Sequence, residues 1–125
     1  MNNLEQQIKD NFVRKAWVRR VLDGDTFEAE VELGYHVKVT EKFRLKGIDT
    51  PEIYKASSQE ERKEGYRVRE FVESLILKKV VWIESTKTGK YGRYLADVYF
   101  VYEGKIAELA DVLKENGFAK NRDLF

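Results

Sequence analysis

Alternation of apolar and polar residues predicts three β-strands in the first half of the chain. The clearest covers residues 27–33, where apolar residues alternate with three glutamates, a period of two that buries one face of a strand. A strand at residues 12–22 precedes it. A third strand, at residues 37–45, follows a predicted hairpin turn at Gly34-Tyr35. Glu41 interrupts the odd-numbered apolar face of this third strand, which indicates a β-bulge there.

The spacing of apolar residues becomes helical after Pro51. Ser57 and Ser58 are the candidate N-caps of a helix that runs to about Leu77. Its apolar residues recur at intervals of three and four, so one face of the helix is predicted to be buried: Val68, Phe71, Val72, Leu75 and Ile76.

Two further strands and a short helix are predicted in the last third of the chain. The strands cover residues 80–84 and 95–102, and a turn follows at residues 103–105. An amphipathic helix at residues 106–113 then ends at Asn116-Gly117. Five short strands with an inserted helix favour a mainly β fold of the α+β class. That fold would be a five-stranded OB-type barrel with one helix between strands 3 and 4 and a short C-terminal helix. The pattern alone leaves another α+β layer arrangement open.

Length and composition limit the catalytic and metal-binding groups that the chain can use. The chain has 125 residues, 42% hydrophobic and 36% charged, which suits one domain. We expect a polar N-terminal extension at residues 1–11 and a single domain at residues 12–125. There is no cysteine, and His36 is the single histidine, so disulfides, cysteine nucleophiles and zinc sites with two imidazoles are excluded. Catalysis would have to use carboxylates, arginine, lysine, hydroxyls or a metal held by oxygen.

The charge balance is close to neutral. Lys and Arg total 23 against 22 Asp and Glu, a formal net charge of +1. Phosphate binding would therefore depend on a local basic cluster rather than on the field of the whole molecule. The sequence shows no signal peptide at residues 1–10 and no apolar run of about 20 residues, so we expect a cytoplasmic protein that makes no membrane contact.

The first segment with candidate chemistry is Asp23-Gly24-Asp25-Thr26. Asp and Gly are ordinary β-turn residues, so a turn alone would explain it. Asp25, however, has the parity of the buried residues of the next strand, which predicts that it points toward the barrel interior at its open end. A buried carboxylate needs a cation, a metal ion or an arginine beside it.

The second segment runs from Phe43 to Glu52. Arg44 alternates with two core positions and is predicted to project from the opposite face. Asp49 and Glu52 follow, in a loop that Pro51 stiffens. Asp49 and Asp25 together would suit a hard divalent cation such as Ca²⁺. The sequence Asp-Thr-Pro-Glu is also a common start of a helix, so capping and a functional site both remain open here.

The third segment, residues 87–93, contains three cations, Lys87, Lys90 and Arg93, without an acid. Its glycines allow a tight exposed loop, and Tyr91 could stack on a base. A solvated hairpin loop is the alternative. Taken together, the three segments offer the set that phosphodiester hydrolysis needs. Guanidinium groups and a metal can neutralise charge on the phosphate, and a carboxylate can accept a proton from water.

These three segments resemble the signature segments of staphylococcal nuclease-like proteins, in the same order, and Asn116-Gly117-Phe118-Ala119 matches as well. The resemblance extends over about residues 13–120. It implies an OB-fold barrel and a Ca²⁺-dependent nuclease that acts on DNA, RNA or both, in which water attacks in line and leaves 3′-phosphate ends.

The resemblance also implies roles for individual residues. Asp25 and Asp49 would bind calcium with the backbone carbonyl of Thr50. Arg44 and Arg93 would clamp the phosphate, Glu52 would act as the general base, and Lys90 and Tyr91 would contact the phosphate of the nucleotide.

A non-catalytic nuclease-like module that binds nucleic acid or protein is the alternative function. We expect a monomer. Self-association is the alternative, because the sequence ends before the long C-terminal helix of known members.

Overall fold

The computed structural model describes residues 12–88 and 92–122. It contains eight strands in these residues: β1 (Val13–Asp23), β2 (Thr26–Gly34), β3 (Val37–Leu45), β4 (Ile48–Asp49), β5 (Val80–Thr88), β6 (Arg93–Tyr102), β7 (Lys105–Glu108) and β8 (Lys120–Asn121). Two helices accompany them, α1 (Gln59–Ile76) and α2 (Leu109–Glu115). The extension predicted at residues 1–11 lies outside the described residues.

Five of the strands close into a barrel. The neighbours in the sheet are β3-β2-β1-β5-β6, all antiparallel, and a parallel pairing of β3 with β6 closes the ring. Strand β7 continues as a hairpin from β6. This closed, mixed, five-stranded barrel with two helices confirms the predicted OB-type fold of the α+β class.

The barrel interior is filled by the alternating apolar residues of the strands. Phe27 and Phe43 lie opposite each other on β2 and β3 with ring centroids 5.7 Å apart, and Tyr94 of β6 packs against Phe43. Helix α1 adds the buried residues Val68 and Val72 to the same core. Its N-cap is Ser58, whose hydroxyl accepts a hydrogen bond from the Glu61 N–H at 3.1 Å, as predicted.

Two details of the β2–β3 hairpin differ from the prediction. Leu33 and Val37 lie in the apolar alternation but are 47% and 51% exposed, because the end of the hairpin extends past the core. Glu41 is not at a bulge, since it pairs regularly with Ala29, and the register shift in this hairpin falls between Glu32 and Gly34.

The C-terminal part also differs from the prediction. Ile106 belongs to β7 rather than to the helix and is 80% exposed, because the turn at Glu103-Gly104 starts a short hairpin before Leu109 begins α2. Strands β4 and β8 were not predicted either. Their pairing places Asp49 opposite Lys120. No helix in the part of the chain that the structure describes is both long and apolar enough to cross a membrane.

Candidate active site

Arg44 and Asp25 form a buried ion pair at the end of the β2–β3 hairpin. The Nη2 atom of Arg44 donates to Oδ2 of Asp25 at 3.2 Å, and the two side chains are 10% and 6% exposed. The Thr50 N–H donates to the same Oδ2 at 3.3 Å, and the Thr26 hydroxyl donates to Oδ1 at 3.0 Å. The buried carboxylate therefore has the arginine partner that its burial requires.

Asp49 meets the same nitrogen of Arg44. Its Oδ1 accepts a hydrogen bond from Arg44 Nη2, and Arg122 Nη1 lies 3.8 Å from that oxygen. Asp49 remains 53% exposed, so the cluster opens to solvent on its side. Asp25 and Asp49 thus converge on one positively charged nitrogen from two separate segments of the chain.

The other end of the Arg44 guanidinium is held by the backbone. Nη1 donates to the carbonyl oxygens of Leu45 at 3.2 Å and Ile48 at 3.1 Å. The turn between β3 and β4 brings both carbonyls to the guanidinium, which fixes the plane of the group.

The prediction that Asp25 points into the barrel is wrong. Its carboxylate lies on the side of Thr26 and Arg44, which pair across the β2–β3 ladder. Phe27 and Phe43 occupy the interior side. Asp25 precedes β2, in a turn where the alternation of strand side chains does not apply. The prediction that Arg44 lies on the face opposite Phe43 and Leu45 is confirmed, although Arg44 is buried there.

A second acidic group lies next to this cluster. Burial raises the pKa of Asp23 to about 6, with the charges of Asp25 and Glu52 as further causes. A hydrogen bond from the Ile53 backbone and the charge of Arg69 act in the opposite direction. Glu52 therefore lies close enough for its charge to raise the pKa of Asp23. The structure thus brings Glu52 to the same end of the barrel as Asp25.

Close packing of α1 holds the two acidic segments together. A Cβ atom on Gly24 would lie 2.4 Å from Cγ1 of Val68, and a Cβ on Gly65 would lie 2.8 Å from the Glu52 carbonyl oxygen. The helix also reaches the second segment through Arg62, whose Nε donates to the Ile53 carbonyl at 3.2 Å. Glycine is needed at these two positions because the Val68 side chain comes too close to Gly24, and the Glu52 backbone too close to Gly65, for a Cβ atom to fit.

Arg93 lies on the strand next to Arg44. In the parallel β3–β6 pairing, Arg44 is level with Leu95, and Arg93 is level with Lys42. The two arginines therefore share the outer face of the barrel and are offset by two residues, roughly 7 Å along the strand. Lys90 and Tyr91 lie outside the described residues.

The carboxylate and hydroxyl oxygens at this site are of the kind that bind a hydrated hard cation. Among the described residues, no group of three or more His, Cys, Asp or Glu side chains is placed to hold a metal ion. Two carboxylates do converge on a point that the Arg44 nitrogen occupies. Beside them, Asp23 Oδ1 and Thr50 Oγ1 are buried without a hydrogen-bond partner. Such oxygens suit Ca²⁺ with bound water, provided that the guanidinium shifts away from the carboxylates.

Sequence reasoning missed three residues at this site. The sequence predicts only a turn at Asp23, although its position two residues before Asp25 is a signal for a second acid at the site. Arg69 lies on α1, and its charge lowers the pKa of Asp23. The sequence could not predict this interaction. Arg122 reaches Asp49 because its N–H bonds to the Gly47 carbonyl at 2.9 Å, next to the unpredicted β4–β8 pair.

Comparison with known proteins shows the family of the chain. The family model for staphylococcal nuclease homologues matches residues 42–123, which include Arg44, Asp49, Glu52 and Arg93 but not Asp25. An uncharacterized protein of Methanocaldococcus jannaschii is 32% identical over 124 aligned positions, which cover 82% of this chain and 56% of that protein. The chain thus spans about half the length of this curated relative. The chain belongs to the family of staphylococcal nuclease homologues.

Proposed function

We propose that the protein is a Ca²⁺-dependent nuclease that hydrolyses phosphodiester bonds of DNA, RNA or both and leaves 3′-phosphate ends. The observation that carries the proposal is the convergence of Asp25 and Asp49 on one nitrogen of Arg44, beside Glu52 and Thr50. Family membership supports a nuclease-like activity.

The arginines suit the phosphate. A guanidinium donates in a planar fork that matches two phosphate oxygens, and Arg44 would offer such a fork once it is released from the Asp25 and Asp49 carboxylates. Arg93, on the same outer face, would supply the second fork. Together they would neutralise the charge that grows on the phosphate oxygens during attack.

Glu52 is the proposed general base. It would accept a proton from the attacking water, the new bond would form between that water oxygen and phosphorus, and the bond to the 5′-oxygen would break opposite to it. The 5′-oxygen takes up a proton from solvent water, Glu52 releases its proton to solvent, and the phosphate stays on the 3′-side. Lys90 and Tyr91 would hold the phosphate of the nucleotide, as the family resemblance implies.

Asp25 and Asp49, with the Thr50 carbonyl, would hold the calcium ion. Bound calcium would supply positive charge to the phosphate and a coordinated water. Because Arg44 pairs with both carboxylates, its guanidinium must leave them before it can bind phosphate. The chain thus carries an internal cation at the position proposed for calcium.

A cleavage assay tests the proposal. Fluorescence-quenched DNA and RNA oligonucleotides are incubated with the folded protein in Ca²⁺, in Mg²⁺ and in EDTA, and the product ends are analysed. We expect cleavage in Ca²⁺, none in EDTA, and 3′-phosphate products. Absence of cleavage of both polymers in millimolar Ca²⁺ by the folded protein would refute the enzyme.

A non-catalytic binding module is the second candidate. The observation in its favour is that Arg44, Asp25 and Asp49 neutralise one another, as a purely structural ion-pair cluster would. The same assay separates the two: the module would bind oligonucleotides with no change of their length in Ca²⁺, whereas the enzyme would release short fragments.

A further inference from the structure

One edge of α1 borders the proposed active site. Residues 62, 65, 66 and 69 recur at intervals of three and four, so they share one side of the helix. Arg62 bonds to the Ile53 carbonyl, Gly65 approaches the Glu52 carbonyl, and the charge of Arg69 acts on Asp23. Tyr66 and Arg69 must therefore lie next to the segments that carry Asp23 and Glu52.

Arg69 contacts an aromatic ring while one of its buried N–H groups has no hydrogen-bond partner among the described residues. Its guanidinium lies over the ring of Tyr66, with the carbon Cζ 4.9 Å from the ring centroid. Its Nε is buried and has no hydrogen-bond partner in the described part of the chain. The neighbouring Asp23 also has a buried oxygen without a partner. An arginine that stabilised this region as a simple ion pair would be expected to satisfy both atoms.

Tyr66 adds an accessible aromatic surface. The residue is 41% exposed although it adjoins a closely packed helix face. A tyrosine ring with a guanidinium over it is a surface of the kind on which unpaired bases stack, and guanidinium N–H groups can also bond to a phosphate.

We propose that Tyr66 and Arg69 form a subsite for one nucleotide of a single-stranded nucleic acid, adjoining the phosphate that is cleaved. The base stacks on the Tyr66–Arg69 surface, and Arg69 contacts one phosphate. The location next to the cleaved bond rests on the proposed function, whereas binding of the strand at this surface does not.

Binding of a 5′-fluorescein-labelled 12-nucleotide strand, as DNA and as RNA, tests the subsite by fluorescence anisotropy in EDTA. We expect Tyr66→Ala and Arg69→Gln each to weaken binding by roughly tenfold, the usual effect of losing one stacked base. Arg69→Gln should also reduce the slope of log affinity against log salt concentration by about 0.7, because one phosphate contact to a single strand is lost, whereas Tyr66→Ala should leave that slope unchanged.

Two variants control for structure. Tyr66→Phe keeps the ring and should bind like the wild type. Arg67 lies on the same helix, is 68% exposed and pairs with Glu64 at 3.1 Å, so Arg67→Gln removes an equal charge away from the subsite and should change affinity by less than twofold. Thermal melting confirms that each variant is folded.

The outcomes separate this inference from the proposed function. Affinities of Tyr66→Ala and Arg69→Gln within twofold of the wild type, or equal losses in Arg67→Gln, would overturn the subsite. If the wild type binds but does not cleave in Ca²⁺, the enzyme fails while the binding data still decide the subsite. If it does cleave, the two variants should raise KM by about the factor found for binding and should change KM by a larger factor than kcat.

Discussion

Among single residues, the Arg44 guanidinium has the most constrained surroundings. It is 8% exposed, bonds to two carbonyl oxygens and faces the carboxylates of Asp25 and Asp49. A buried charge contributes most when its partners are complete and becomes costly when one partner is removed. The same residue is therefore important for stability without metal and for phosphate binding in the proposed reaction.

Replacement of Arg44 by glutamine should destabilise the metal-free protein. The change leaves Asp25 buried without its cation, so we expect the free energy of unfolding in EDTA to fall by about 3 kcal/mol. Urea unfolding measures it. The matched control is Arg20→Gln, since Arg20 also pairs at 3.2 Å, with Glu28, but is 56% exposed, and its loss should cost less than about 1 kcal/mol.

Calcium should then stabilise Arg44→Gln more than it stabilises the wild type, because no guanidinium competes for the two carboxylates. The melting temperature with and without millimolar Ca²⁺ measures this difference. Equal unfolding free energies of wild type and variant in EDTA would show that Arg44 is not the counter-ion of Asp25.

Replacement of Glu52 by glutamine tests the proposed base. Removal of a general base usually lowers turnover by roughly 100-fold or more, so kcat for a labelled oligonucleotide should fall by that factor. The melting temperature and the calcium requirement should stay close to those of the wild type, since Glu52 is not one of the proposed ligands. A kcat within threefold of the wild type would assign the base to another group.

Asp23 should make stability depend on pH. Its pKa rises from 3.8 to about 6 on folding, so the folded protein binds this proton more tightly than the unfolded chain does. The carboxyl group therefore lowers stability as pH increases from about 4 to about 6. In EDTA, Asp23→Asn should melt at a higher temperature than the wild type at pH 7 to 8 and at the same temperature below pH 4. A difference that does not vary with pH would contradict this account of the raised pKa.

At the scale of elements, α1 packs directly against the segment at residues 23–25, which carries the first acids of the candidate site. Gly24 has no room for a side chain because Cγ1 of Val68 would lie 2.4 Å from its Cβ. The second acidic segment contacts the same helix through the close approach of Gly65 to Glu52 and through the hydrogen bond from Arg62 to the Ile53 carbonyl.

A double-mutant cycle tests this contact. Gly24→Ala should destabilise the protein by roughly 1–3 kcal/mol through overpacking against Val68. Val68→Ala removes the clashing methyl group, so the double variant should be more stable than the sum of the two single changes predicts, by about 1 kcal/mol. Strict additivity in urea unfolding would show that the backbone relaxes without involving Val68.

The sequence was most informative where a residue pattern has a local physical cause. The Ser58 N-cap and the alternation in β2 follow from side-chain chemistry within a few residues. The exposure of Leu33 and Val37 depends on where the barrel ends, which no local pattern records. The β4–β8 pair and the contact of Arg122 with Asp49 join segments far apart in the chain. Local residue patterns therefore could not predict them either.

At the candidate site, too, local motifs were predictable from the sequence and contacts that depend on tertiary packing were not. The motif residues Asp25, Arg44 and Asp49 were identified from their segments, and the structure brings them together. The direction of Asp25 was wrong because alternation ends with the strand. The parts played by Asp23 and Arg69 were missed, since both depend on the packing of α1 against two loops.

At the scale of the whole molecule, closure of the barrel assembles the site. Pairing of β3 with β6 brings the strand of Arg93 next to that of Arg44, and the β2–β3 hairpin brings Asp25 to Arg44. The net charge of +1 means that long-range attraction of a polyanion is weak, so substrate binding would depend on local contacts at this end of the barrel.

The calcium concentration that gives half-maximal cleavage, measured for the wild type and for Asp49→Asn, tests the central claim most directly. Asp49 is 53% exposed, so the variant should fold. Asp111, 58% exposed on α2, provides the control Asp111→Asn. We predict saturable calcium dependence in the wild type, an increase in the half-saturating concentration of roughly tenfold or more in Asp49→Asn, and no change in the control. Cleavage by Asp49→Asn with the calcium dependence of the wild type would contradict a calcium site built on Asp25 and Asp49.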